Sequence, residues 1–196
     1  GTGAHAAYPQ YSRDPILAAS HVITALQAIV SRNTSPFESV VVTIATINGG
    51  TARNIIPETV TFSGTVRTLK PETRIATKAR FFETAEHAAA AFGCRAEIDW
   101  QEGYPVTFND EVVTARFERV ARATFGDQRV VDIPTPTMGG EDFSYYGEHA
   151  PGCFFVLGVR PKGRATYPTL HQPDYDFNDD ALETGIEAMV ALALSE

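Results

Sequence analysis

Two histidines sit on loops that could hold them rigidly. His171 lies in Leu170-His171-Gln172-Pro173-Asp174-Tyr175-Asp176, between an apolar run and a final helical pattern. A loop histidine braced by regular elements on both sides can present a ring nitrogen to a metal or a reacting group. His5 lies near the other end, in Gly3-Ala4-His5-Ala6-Ala7-Tyr8-Pro9. The two loops together point to a hydrolytic site, most of whose parts are absent from these 196 residues. His21 and His87 fall inside helical patterns without ligand-type neighbours, and His149 falls in a Gly- and Pro-punctuated turn. Those three read as packing or solvated residues. No HExxH, HxH or Cys/His cluster occurs, so no complete metal site can be built by motif.

Two further loops carry polar groups. In Met138-Gly139-Gly140-Glu141-Asp142-Phe143 the glycines would let the backbone approach a ligand, and the acids could orient a histidine. A tight turn followed by helix-capping acids explains the same residues. Asn48-Gly49-Gly50-Thr51-Ala52-Arg53-Asn54-Ile55-Ile56-Pro57 exposes donors including Asn54, and is equally compatible with a plain turn.

Regular elements must position these loops. Residues 14–31 carry Ile16, Ala19, Val22, Ile23, Leu26, Ile29 and Val30 at helical spacing, with Asp14 as N-cap and Pro15 in the first turn. The β-branched run 40–47 is a strand closed by Asn48-Gly49-Gly50. Residues 59–68 alternate: Val60, Phe62, Gly64 and Val66 face one way, Thr61, Ser63, Thr65 and Arg67 the other. A helix after Lys70 is expected to bury Ile75, Ala79, Phe82, Ala85, Ala89 and Phe92 and to stop at Gly93. Residues 94–101 alternate again and predict a half-buried strand. This order matches a ferredoxin-like split unit lacking its first strand, which is expected just before Gly1.

From Gly103 the pattern changes, dividing the chain into 1–102 and 103–196. Asn109-Asp110-Glu111 opens a helix running to Gly126, and residues 153–157 predict a central strand buried on both faces. A last helix, about 180–194, is expected to bury Leu182, Ile186, Met189, Val190 and Ala193. With too few strands for its own sheet, this block reads as the tail of a larger α/β domain whose other part precedes residue 1.

Sixteen basic against 24 acidic residues give a net charge of −8, which argues against nucleic acid or an anionic membrane as partner. No apolar run approaches the roughly 20 residues of a membrane helix. The first residues have neither the basic nor the apolar part of a signal peptide. Opening on Gly1, with Met138 and Met189 internal, the chain reads as a trimmed piece. Cys94 and Cys153 lack CxxC spacing, so reduced, packed thiols in a cytoplasmic protein are expected rather than a disulfide.

The ordered segments HAAYPQ, DPI, NGGTARNIIP, GTVRT, GYPVTFND, MGGEDFSYY, PGCFFVLG and LHQPDYDFNDDAL resemble the metal-dependent aminoacylase–carboxypeptidase family across nearly the whole chain. The likeness is to its hippurate hydrolase and indole-acetyl-amino-acid hydrolase branch. The resemblance implies an amidohydrolase of N-acyl amino acids with two divalent metals, zinc or manganese, and a lid or dimerisation domain inserted into the catalytic domain. It implies that His171 is a metal ligand. It also implies that His5 stabilises the oxyanion, from the neighbouring subunit in dimeric members. Asn54 and Arg67 would bind the substrate carbonyl or carboxylate, and Gly139, Gly140 and Glu141 would line the site. An arginine among Thr and Ser on a polar strand face suits forked carboxylate recognition.

The family's His-x-Cys-Gly-His-type motif, its Glu-Glu pair with the general base and a further histidine are absent here. The chain is therefore expected to be the inactive C-terminal half of such an enzyme, forming a homodimer through the lid and completed by an N-terminal half. The alternative is a non-catalytic dimerisation or small-molecule-binding module that keeps the lid fold.

Overall fold

The computed structural model describes residues 1–195. They form two compact units. The first comprises Gly1–Val106 with Thr137–Gly140; the second comprises Thr107–Pro136 with the described residues from Glu141 onward.

In the first unit a short strand β1 (Ala4–His5) precedes helix α1 (Pro15–Ala28). The Asp14 carboxylate accepts from the Ile16 and Leu17 amides at 2.8 and 3.3 Å, so the expected N-cap forms. The helix continues through a π-turn, Ile29–Asn33. Strand β2 (Val40–Gly49) pairs antiparallel with β4 (Val60–Thr68), from Val40 opposite Thr68 to Gly49 opposite Val60. The register shifts between Ile44 and Thr46, which makes Ala45 the extra residue of a bulge. Opposite it, a Cβ on Gly64 would lie 1.8 Å from the Thr43 carbonyl oxygen, so only glycine fits. Strand β3 (Ile55–Ile56) pairs with β1, and helix α2 spans Pro71–Ala90.

The core consists of Val22, Leu26 and Ile29 from α1 and its π-turn, Val40 and Val42 from β2, and Ala85 and Ala89 from α2. By length and composition Pro15–Asn33 is apolar enough to cross a membrane, which corrects the expectation that no such run exists. Its Val22, Leu26 and Ile29 supply the centre of this unit's core, the position of a core helix.

Two other expectations need correction. Ile75 is 71% exposed, and Ala79 is exposed as well; the inward face of α2 runs through Thr77, Phe81, Ala85, Ala88 and Ala89. Residues 94–101 show the alternating burial of a strand, and Cys94, Ala96 and Ile98 pack on the core, but no ladder forms. Among the described residues β4 has β2 as its neighbour and no strand lies beside 94–101. Alternation fixes which side chains turn inward; a strand also needs a partner backbone.

The second unit contains α3 (Glu111–Phe125), a one-turn helix α4 (Ser144–Gly147) and α5 (Asp180–Leu194). Asp110 caps α3 by accepting from Val112 and Val113, each at 3.0 Å. Asn109 brackets residue 154 in both directions: its amide donates to the Phe154 carbonyl and its oxygen accepts from the Phe154 N–H. The 153–157 run is nevertheless not a strand, and Val156 is 64% exposed. Helix α5 turns Ala181 and Ala188 inward and leaves Leu182, Ile186, Met189 and Val190 exposed, the reverse of the expected burial. Periodicity identified the stripe correctly, but nothing in the described residues covers it.

Candidate active site

His5 and Asn54 come together at the small β1–β3 ladder. His5 stands opposite Ile55, and the Ala6 N–H donates to the Asn54 carbonyl at 2.9 Å. Both side chains are exposed. The Ala7 N–H donates to His5 Nδ1 at 3.1 Å. In the neutral ring, a nitrogen that accepts a hydrogen bond leaves the proton on the other nitrogen. In that form Nε2 carries the proton and is the ring's donor.

Arg67 stands at the other end of the β2–β4 ladder, paired with Val41. It is partly buried, and one guanidinium nitrogen donates to its own Val66 carbonyl at 3.1 Å, leaving the other donors available. The Gly139-Gly140 loop reaches it: a Cβ on Gly140 would lie 3.5 Å from Arg67 Nε and 3.5 Å from the Tyr104 ring. Gly139 is pinned by its N–H to Thr137 Oγ1 at 3.1 Å. Tyr104 is thus a neighbour of this site that sequence reasoning missed; its place beside a Gly-Pro break gave no periodic signal. At the usual strand rise, Arg67 lies about 23 Å along β4 from Val60, the end where the chain arrives from β3. The predicted residues therefore form two clusters, His5 with Asn54 and Arg67 with Gly140.

Glu141 and His171 belong to the second unit. The Glu141 carbonyl accepts from the Ser144 N–H and hydroxyl at 3.2 and 2.7 Å, while its carboxylate is exposed. His171 is exposed in a turn closed by Gln172 N–H to the Thr169 carbonyl, with the Gln172 side chain accepting from Thr169 N–H at 2.6 Å. Its φ of 71° makes it the one non-glycine residue with positive φ among the described residues. Histidine tolerates that region better than most residues, and such strain gathers at functional positions. His21 and His87 are exposed on helices, and His21 stacks on Phe92 with ring centroids 4.4 Å apart. His149 lines a cleft of about 310 Å³ with Phe108 and Asp110, which contains none of the predicted site residues.

Among the described residues no three His, Cys, Asp or Glu side chains converge as a metal site. His171 alone does not fit a metal centre, since structural and catalytic sites need three or four protein ligands.

The chain belongs to peptidase family M20/M25/M40, which matches residues 5–195. It is 46% identical over 159 residues to N-acetyl-L-cysteine deacetylase of Bacillus subtilis, covering 81% of this chain and 38% of that protein. It is 37% identical over 198 residues to IAA-amino acid hydrolase ILR1-like 2 of Arabidopsis thaliana, covering 99% of this chain and 44% of that protein. Among solved structures it resembles the Bacillus subtilis YXEP protein, a dinuclear metal binding peptidase of the M20 family. That match has a TM-score of 0.66 and 31% identity, covering 92% of this chain and 45% of the other. The chain spans less than half the length of these relatives, and they agree with the amidohydrolase branch read from the motifs.

Proposed function

We propose that this chain is the C-terminal part of an amidohydrolase that cleaves the amide bond of N-acyl amino acids. The observation that carries the reading is the His5 geometry. The Ala7 N–H occupies Nδ1 and leaves Nε2–H free to donate to the oxygen of a carbonyl as negative charge develops on it. Asn54, joined to the same loop, offers an amide to the same carbonyl. Arg67, with one nitrogen tied to its own strand, offers a fork to the substrate carboxylate.

The acyl carbonyl and the carboxylate of an N-acyl amino acid are only about one residue apart, roughly 3.8 Å. The two clusters stand at opposite ends of a ladder and would serve different active sites, with a homodimer supplying His5 and Asn54 to one site and Arg67 to the other. The unpaired edge of β4 and the unladdered 94–101 segment support a ferredoxin-like lid whose first strand comes from outside the described residues. The exposed stripe of α5 supports a catalytic domain completed the same way. His171 would then be one ligand of a two-metal centre, zinc or manganese, whose other ligands this chain does not contain.

The test compares this chain with the protein carrying the segment that precedes Gly1. The longer protein is expected to hold two divalent ions and hydrolyse hippurate or N-acetyl-cysteine, and the chain alone to do neither. Hydrolysis by the purified chain alone, abolished by His171→Ala, would overturn the assignment of His171 to an incomplete centre.

A further inference from the structure

Arg67 stands at a corner that a second arginine ties down. Strand β4 ends at Thr68 and α2 begins at Pro71, so Arg67 and Arg74 flank one short connection. The Arg74 guanidinium grips three consecutive residues. One terminal nitrogen donates to the Tyr104 carbonyl at 3.2 Å; the other donates to the Gly103 carbonyl and the Glu102 carboxylate, each at 2.8 Å. Lys78, one turn further along α2, donates to the same carboxylate and lies 5.5 Å from the Trp100 ring centre. Among the described residues Lys78 makes no hydrogen bond to Gly103 or Tyr104, so the hold on those two carbonyls belongs to Arg74. Tyr104 in turn meets Arg67 through Gly140. A Cβ on Gly140 would lie 3.5 Å from Arg67 Nε, 3.8 Å from Arg67 Cζ and 3.5 Å from Tyr104 Cδ2, so the Gly140 backbone rests against both the guanidinium and the ring. Arg67, Arg74, Tyr104 and Gly140 all belong to the first compact unit.

Resting on the reading of Arg67 as the carboxylate fork, we propose that Arg74 is the positioning residue of that fork. By holding the backbone at Gly103 and Tyr104, it keeps the Tyr104 ring against Gly140 and Gly140 against the Arg67 guanidinium. A fork binds a carboxylate through two parallel bonds, so its strength depends on the plane in which the guanidinium is held. The bond from Arg67 to the Val66 carbonyl fixes one nitrogen and leaves that plane able to turn about it. The Gly140 backbone supplies the second restraint, and such supporting contacts decide whether a recognition group is held closely enough to work. Arg74 itself, engaged on two carbonyls and a carboxylate, is a staple and not a second fork.

The experiment has two arms. In this chain, the Arg67 Nε–H resonance is followed by NMR; Arg74→Ala should move it and Lys78→Ala should leave it in place. In the longer protein, Arg74→Ala should raise KM for N-benzoylglycine about tenfold, the scale of one misaligned charge-assisted contact. Its kcat, and its KM for N-benzoylglycinamide, which lacks the carboxylate, should stay within about twofold, as should both constants of Lys78→Ala. Should Arg74→Ala fail to fold, Arg74→Lys serves instead: it keeps the charge beside Glu102, but one ammonium cannot span three acceptors, so the same KM defect is expected. An unmoved Arg67 resonance or an unchanged KM overturns the proposal. So does a loss that is equal on both substrates or shared by Lys78→Ala, which would mark general loosening of the corner. The clamp itself is judged separately: Arg67→Ala without a carboxylate-selective loss would remove the reading on which the proposal rests, whatever Arg74 does.

Discussion

One backbone N–H decides what His5 can do. With Nδ1 accepting from Ala7 the ring is oriented by its own loop, and in the proposed oxyanion role little reorganisation would remain for the reaction. His5→Ala in the longer protein is therefore expected to lower kcat, because the bond strengthens only as charge develops. Arg67→Ala is expected to raise KM for N-acyl amino acids by roughly ten- to a hundredfold, the loss of a charge-assisted fork of about 1.5–3 kcal/mol. Matching amides without the carboxylate should be much less affected, and an equal loss on both substrate types would refute the clamp. Strand alternation placed Arg67 on the polar side of β4 and turn signals marked the His5 segment, while the roles proposed for both rest on the family resemblance.

At the scale of elements, the helices of the first unit were legible from caps and periodicity, because both are properties of the local chain. Strands 94–101 and 153–157 were misread because ladder formation depends on a partner backbone, which local alternation cannot supply. In helix α2 the expected Ala85 and Ala89 are buried, but in its first half Ile75 looked like core whereas Thr77 turns inward. Leu26, fully buried, provides a quantitative contrast. Leu26→Ala should cost about 2–5 kcal/mol by denaturant unfolding, and Ile75→Ala no more than about 0.5 kcal/mol.

The end of the 94–102 segment is tied to α2 by Glu102, which accepts from Lys78 and, at 2.8 Å, from Arg74. The Lys78 hydrogen bond, then the charges of Lys78 and Arg74, hold the Glu102 carboxyl below its ordinary pKa. A depressed carboxyl stabilises the fold above its unfolded value, and that contribution is lost as pH falls through the folded value. Wild type should therefore lose its advantage over Glu102→Gln on acidification, as followed by thermal unfolding across that range. A constant difference at all pH values would show that the ion pair contributes nothing.

The whole molecule brings the two clusters into one scheme. Under the proposed roles, one ladder with His5 and Asn54 near one end and Arg67 at the other would not close both on a single small substrate, whereas two copies would share them in exchange. The measurement that tests this most directly is complementation in the longer protein, mixing His5→Ala and Arg67→Ala chains and assaying N-benzoylglycine well below the wild-type KM, where each variant homodimer is expected to be nearly inactive. In a mixed dimer one active site receives intact His5 and intact Arg67 while the other receives neither. The account predicts recovery of about half the wild-type activity in isolated mixed dimers, as one working site of two would give. Activity no higher than that of the two parent variants would contradict it, by showing that His5 and Arg67 of one chain serve the same site or none.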